Sequence, residues 1–285
     1  MIDQASKLRT MVKDKNMDNP IKIYSILSGK GGVGKTNFSI NLGIKLQQMG
    51  KKVLILDADI GMSNANIMLG MSPSVNLFQA IVGNTSLSNI IKTGPEGIDL
   101  ISGGSDLFFM EDLNKESQEK AMEALKGLGV YDIIIIDNGA GISKQSLTFT
   151  DFAHEVILVS TPEPTAIMDA YRVLKAISIY KLKKQVKIVI NQVPDISIGR
   201  EAYNKLLNTA NQFLDIELEN LGFIFSDIRV NKAIMEQNPI VLRYPNSLAS
   251  ENIDKISKNL LGNKDFDYNV SSLKQLGNRI IKFFR

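Results

Sequence analysis

The octet Gly29-Lys30-Gly31-Gly32-Val33-Gly34-Lys35-Thr36, with Asn37 behind it, has the residue types and spacing of a phosphate cradle. Glycines let the backbone turn so tightly that successive N–H groups face one anion, and a helix starting at the end of the loop adds the positive end of its dipole. In that setting Lys35 reaches the β and γ phosphates of a nucleotide, and the Thr36 hydroxyl is placed to ligate magnesium. Two further strings supply carboxylates. Asp57-Ala58-Asp59-Ile60-Gly61-Met62-Ser63-Asn64 follows the apolar stretch Val53 to Leu56, so both aspartates emerge at a strand end, where a carboxylate can orient a water or a magnesium shell. A turn or helix cap is the competing reading of that pair. Tyr131 to Gly141 sets four isoleucines ahead of Asp137, a carboxylate that holds magnesium directly or through water, and the glycines after it allow a switch that senses a γ phosphate. Asp132 reads as a strand-entry residue facing solvent.

These groups need a scaffold that brings strand ends together. Short β-branched runs alternate with helical patterns: Ile21 to Leu27, Lys52 to Leu56, Ile98 to Ser102, Tyr131 to Ile136, Glu155 to Ser160, Gln185 to Ile190 and Leu221 to Phe225. Runs without polar alternation are strands buried on both faces, which predicts a mostly parallel sheet flanked by helices on both faces, the three-layer α/β arrangement. Open sheets of this kind place their ligands at the carboxyl ends of the strands, where the loop and both aspartate strings fall. The first helix shows its period in Phe38, Leu42 and Leu46.

The 285 residues are near the upper end for one hydrophobic core, and no second domain is required. There is no cysteine, which excludes disulfides, thiolate metal sites and a cysteine nucleophile. The single histidine, His154, lacks companions for a metal cluster and reads as structural. Residues 1–20 hold no apolar core of signal-peptide length, and the longest apolar runs are too short to span a bilayer. A net charge of +3 does not by itself imply nucleic-acid binding. The basic cluster Lys181, Lys183, Lys184 and Lys187 is the candidate for such contact, with a solvated helix end as its plainer reading.

Lys30 ahead of the paired glycines makes the loop resemble the deviant Walker A motif of the MinD/ParA class of P-loop ATPases, the SIMIBI proteins, over residues of about 21 to 262. The resemblance implies a three-layer P-loop NTPase fold, ATP and Mg2+ as ligands, and slow hydrolysis by an ATP-dependent homodimer. In it Lys30 of one protomer reaches the phosphates of the other, as an arginine finger does elsewhere. It further implies that Asp59 positions or activates the attacking water, that Asp57 supports the magnesium shell and that Asp137, in the Walker B position, holds magnesium. Asn191 matches the family's adenine-contacting asparagine, although a strand-end turn also explains it. After Asp137 the class commonly has threonine; here stands Asn138, whose amide donates with a different reach, which bears on the hydrolysis rate.

The two ends divide the chain into residues 1–20, 21–262 and 263–285. Asp3-Gln4-Ala5-Ser6-Lys7-Leu8-Arg9 is similar to the Asp-Gln-Ala-x-x-Leu-Arg element of the FlhG family (FleN, YlxH), MinD-like regulators of flagellar number and placement. That resemblance implies a segment, carried by Asp3, Gln4, Ala5, Leu8 and Arg9, that stimulates the GTPase FlhF; a frayed tail is what composition alone predicts. It also implies components of the flagellar switch complex, the C-ring, as partners. In 271–285, Leu273, Leu276, Ile280, Phe283 and Phe284 follow a helical spacing among Lys274, Arg279, Lys282 and Arg285 with no acidic residue. A basic amphipathic helix of this kind suits an anionic membrane surface, peripheral and on the cytoplasmic face. A helix packed on the domain body is the alternative. A MinD-type cell-division positioner shares loop and tail but begins almost at its first strand. A ParA-type DNA-partitioning ATPase would require a basic surface and strongly salt-dependent binding. The helix after Glu163 to Asp169 is the expected partner face.

Overall fold

The computed structural model of the chain describes residues 21–59, 64–71, 87–102 and 127–262. The N-terminal element and the amphipathic tail, with every residue assigned to FlhF or membrane contact, lie outside them.

Among the described residues the strands are β1 (Lys22–Ser28), β2 (Val53–Ala58), β3 (Lys92–Thr93), β4 (Asp99–Ser102), β5 (Ile133–Asn138), β6 (Glu155–Ser160), β7 (Gln185–Val193) and β8 (Glu217–Phe225). They form one sheet in the order β3-β4-β2-β5-β1-β6-β7-β8, parallel throughout except for β3 against β4. The helices are α1 (Lys35–Gln48), α2 (Asn64–Met68), α3 (Leu87–Ile90), α4 (Lys144–Phe152), α5 (Pro164–Ile179), α6 (Ile196–Phe213), α7 (Ile228–Met235), α8 (Ile240–Arg243) and α9 (Leu248–Leu261).

The isoleucine run of β5 shows why helices cover both faces. Side chains alternate along a strand, so Ile133 and Ile135 enter the core shared with α1 and α9, while Ile134 and Ile136 enter the one on the opposite face. Neither face can be left in water. α1 is enclosed nearly all round: Phe38, Leu42 and Leu46 are buried as their spacing predicts, and so are Ile40 and Ile44 on the other side, because α8 and α9 cover it. Such a helix carries little amphipathic signal.

Two features escaped the sequence reading. β3 has only two residues, too few for a period. β8 begins at Glu217, four residues before the apolar run that marked it, because an edge strand faces water and carries charge in its first half. Its pairing with β7 shifts register between Ile188 and Val189.

The amino-terminal edge of the sheet holds a buried ion network. Lys22 Nζ lies 2.6 Å from Glu155. Lys187, buried between β6 and β8, pairs with Glu155 and Glu219. Two ammoniums facing two carboxylates keep the charge balanced where either alone would be costly. Lys187 therefore leaves the surface cluster to which its sequence position had assigned it, and the Lys183 ammonium donates to the Asp151 carbonyl. A basic strip for DNA is not assembled from these four lysines.

His154 is structural, as expected. Its Nδ1 accepts the Ile23 N–H at 3.0 Å and its own N–H donates to the Ile23 carbonyl, tying the entry of β6 to β1. The acceptor role requires a neutral ring. Burial, then the nearby Lys22 and Lys183, push its pKa from 6.5 to about 4. A histidine lowered in this way contributes stability that is complete above the unfolded value and lost as pH falls through the folded one. The urea midpoint should therefore decline between pH 6.5 and about 4. His154→Gln, which titrates nowhere in that window, should flatten this part of the profile.

Candidate functional site

β1 delivers the chain to the loop at residues 29–34, and α1 begins at Lys35. Gly34 is the N-cap of α1 with φ 86°, a left-handed conformation that costs glycine nothing. The loop is gripped from two sides. On one, a methyl at Gly29 would stand 2.3 Å from the Asp169 carbonyl carbon and 2.5 Å from the Ala170 nitrogen, so the backbone of α5 presses directly on the loop entry. On the other, the end of β7 reaches over it: Asn191 Nδ2 donates to the Val33 carbonyl at 2.8 Å, and Gln192 Nε2 to the Gly32 carbonyl at 3.3 Å. Gln192 does so from a left-handed backbone, φ 57°, with its N–H held by Asn191 Oδ1. Carbonyls turned away and held in this manner leave the loop N–H groups for an anion.

Behind the loop, Lys35 Nζ donates to Asp137 Oδ1 at 2.9 Å and lies 3.4 Å from Thr36 Oγ1. Asp57 and Asp137 stand directly opposite each other in the β2–β5 register. Asp57 accepts the N–H groups of Asp59 at 3.1 Å and Ala65 at 3.3 Å, which ties the end of β2 to α2. Burial, followed by the charge of Asp137, raises Asp57 to about 7. Two enclosed carboxylates near one ammonium, which is bonded to Asp137, favour an added cation. Asp137 Oδ2 is buried without a hydrogen-bond partner, an acceptor left over for such a cation. These residues fit magnesium, with Thr36 and Asp137 to hold it and Asp57 behind. The described residues contain no cluster of three or more metal-ligating His, Cys, Asp or Glu side chains. Magnesium takes few protein ligands when phosphates supply the rest.

Asp59 is half-buried in the same cleft, and a methyl on Gly139 would come within 3.1 Å of its Oδ1, so the segments that follow β2 and β5 touch here. The Gly141 N–H donates to the Ser28 carbonyl at 2.8 Å, joining the second segment to the loop entry. Asn138 does not face this space. It is buried, with Nδ2 donating to Ser25 Oγ and the Ile26 carbonyl, each at 2.9 Å, and so fastens β5 to β1. Its departure from threonine therefore places no amide at the phosphates.

Lys30 turns away from the loop and donates to Glu163 at 2.7 Å and Thr165 at 3.2 Å, at the start of α5. The cleft, about 910 Å3, is lined by residues 30–37, by Asp59, Asn191 and Gln192, and by Ile67, Phe225–Ile228 and Ile234. The wall after β8 is held by Asn252 Oδ1, which accepts the Phe225 N–H at 3.1 Å. The predicted loop residues, Asp57, Asp59, Asp137 and Asn191 thus come together. Gln192, Asn252 and Ser39 were missed; Gln192 and Asn252 carry no sequence signal, whereas Ser39 follows Lys35 by one helical turn, and Glu163 was named only as the start of a partner face.

Residues 20–261 match the ParA family, described as NUBPL iron-transfer P-loop NTPase. The chain belongs to the ParA family of P-loop NTPases. Members of this family are ATPases. The flagellum site-determining protein YlxH of Helicobacter pylori is 32% identical over 99% of both chains. The antiactivator FleN of Pseudomonas aeruginosa is 32% identical over 84% of this chain and 86% of its own length. Among solved structures, the septum site-determining protein MinD complexed with Mg-ADP from Pyrococcus horikoshii superposes with a TM-score of 0.66 at 26% identity, covering 86% of this chain and 99% of MinD.

Gly29→Ala tests the grip of α5 on the loop. The added methyl meets backbone that cannot turn aside, so the variant should lose about 1–3 kcal/mol of stability, as overpacked sites do, and should bind ADP more weakly. Isothermal titration and urea unfolding check both outcomes.

Proposed function

We propose that the chain is a magnesium-dependent ATPase switch that dimerises on ATP, associates with an anionic membrane surface, and regulates the number or placement of flagella. The observation that carries the nucleotide chemistry is the enclosed arrangement of Lys35, Asp137 and Asp57 beneath a loop whose carbonyls are tied back by Asn191 and Gln192. Lys35 would exchange Asp137 for phosphate, releasing the carboxylate toward the metal that neutralises the phosphate charge. Asp59, poised where the two strand-end segments meet, would orient the attacking water. Asn191 and the Phe225–Ile228 wall would hold the base.

Lys30 is read as the residue that crosses to a second copy. Its present partner is no obstacle: Lys30 is 35% and Glu163 61% exposed, and pairs at such exposure contribute about 1 kcal/mol or less. Phosphates of a facing protomer would outcompete that contact. Asp59→Ala should bind ATP with unchanged affinity and still dimerise while its phosphate release falls by at least about a hundredfold, the low end for loss of a group that assists proton transfer. Size-exclusion chromatography with ATP and a phosphate-release assay separate the two steps.

The flagellar part of the reading rests on YlxH and FleN and on Asp3, Gln4, Ala5, Leu8 and Arg9. Under it the partners are FlhF and C-ring components, with 271–285 as the membrane contact. The iron-transfer chemistry in the family's description is not carried over, because a chain without cysteine offers no thiolate to iron. A peptide of residues 1–20 should accelerate GTP hydrolysis by FlhF, and Gln4→Ala and Arg9→Ala versions should not. No acceleration by the native peptide would remove the FlhF assignment and leave the division-positioner reading level with it.

A further inference from the structure

The Asp137 carboxylate receives two hydrogen bonds, and the second comes from a residue with no role described so far. Oδ1 receives Lys35 Nζ at 2.9 Å and Ser39 Oγ at 2.7 Å, while Oδ2 receives nothing and is shut off from solvent. Ser39 and Asp137 are both wholly enclosed, so no water competes for the contact. The Ser39 hydroxyl has one proton and two acceptors in range, Asp137 Oδ1 and the Lys35 carbonyl at 3.0 Å. The shorter, charge-assisted bond to the carboxylate is the stronger claimant.

We infer that Ser39 is a positioning residue for the metal: its hydroxyl pins Asp137 Oδ1 so that Oδ2 stays directed at the magnesium site after Lys35 has left for the phosphates. The inference rests on the nucleotide reading above and deepens it. Lys35 is shared between two anions, and while it serves the nucleotide it cannot orient Asp137. A carboxylate held by a single mobile ammonium would turn about its terminal bond once that ammonium moved, because such torsions are broad. Ser39, one turn along the helix that Lys35 opens, is carried by the backbone of α1 and does not move with the lysine side chain. Groups that orient a metal-holding carboxylate set metal affinity, and their loss typically costs about 10–100-fold.

The test uses the full chain with ADP as the probe, comparing Ser39→Thr with Ser39→Val. These two side chains share a shape and differ in the hydroxyl. In EDTA both variants should bind ADP equally. The Mg2+ concentration that gives half of the magnesium-dependent gain in ADP affinity should be about tenfold higher for Ser39→Val. Equal magnesium dependence overturns the inference, and so does a loss of ADP binding in EDTA confined to Ser39→Val, which would assign the hydroxyl to packing. Should the added methyl prevent both from folding, wild type against Ser39→Ala gives the same comparison with the same outcomes. If the wild type shows no magnesium effect on ADP, the nucleotide reading falls and this inference falls with it; a wild-type effect with Thr and Val alike sinks this inference alone.

Discussion

The contact between Lys35 and Asp137 organises this molecule. An ammonium and a carboxylate wholly enclosed at the carboxyl edge of a sheet are costly unless each is held by further partners, and the surroundings follow from that requirement. Ser39 donates to the same oxygen, the helix beginning at Lys35 anchors the lysine, and β5 must end level with β2 so that Asp57 and Asp137 face one another. The second carboxylate leaves the group short of positive charge. That shortage makes the site a receptor for a cation and converts a buried ion pair from a burden on stability into a device for chemistry.

A second constraint acts on the backbone. A loop that offers its N–H groups to an anion must dispose of its carbonyls, and here two side-chain amides from β7 take Gly32 and Val33. The α5 backbone closes the loop entry at Gly29, where no side chain fits. The start of that helix holds Lys30. Loop shape and the reach of Lys30 are therefore both set by α5, whose exposed side carries Met168 and Arg172. Sheet, loop and helix form one mechanical unit, with the Ser28 carbonyl linking the loop entry to Gly141 after β5.

Much of this was legible in the residues. The octet, the aspartate strings and the isoleucine run each carry a local requirement that few residue types meet: left-handed backbone, carboxylate at a strand end, apolar side chains on both faces. What could not be read were relations between distant residues that share no period. Lys187 looked like one of four surface lysines, yet Glu155 and Glu219 draw it inside, because a strand position between two neighbouring strands outranks the charges adjacent in sequence. Asn138 stood out as a departure from threonine that bears on hydrolysis, but strand alternation turns its amide toward Ser25 and the Ile26 carbonyl. β8 showed only its inner half, since apolar patterning reports burial and an edge strand is half in water.

By itself the amino-acid sequence determined the chemistry on offer and the layer architecture, because both follow from residue types at short spacing: a cradle needs its glycines and lysine in one octet, and a doubly covered sheet needs unbroken apolar strands. Only the tertiary structure decided which of those groups meet and in what state. It set Asp57 against Asp137 and raised its pKa, left Asp137 Oδ2 without a partner, parked Lys30 on Glu163 and brought Asn191 across to Val33. The reason is physical. Hydrogen bonds and ion pairs over separations of a hundred residues or more depend on strand order and register, which arise from the packing of the whole sheet and are written in no single segment of the chain.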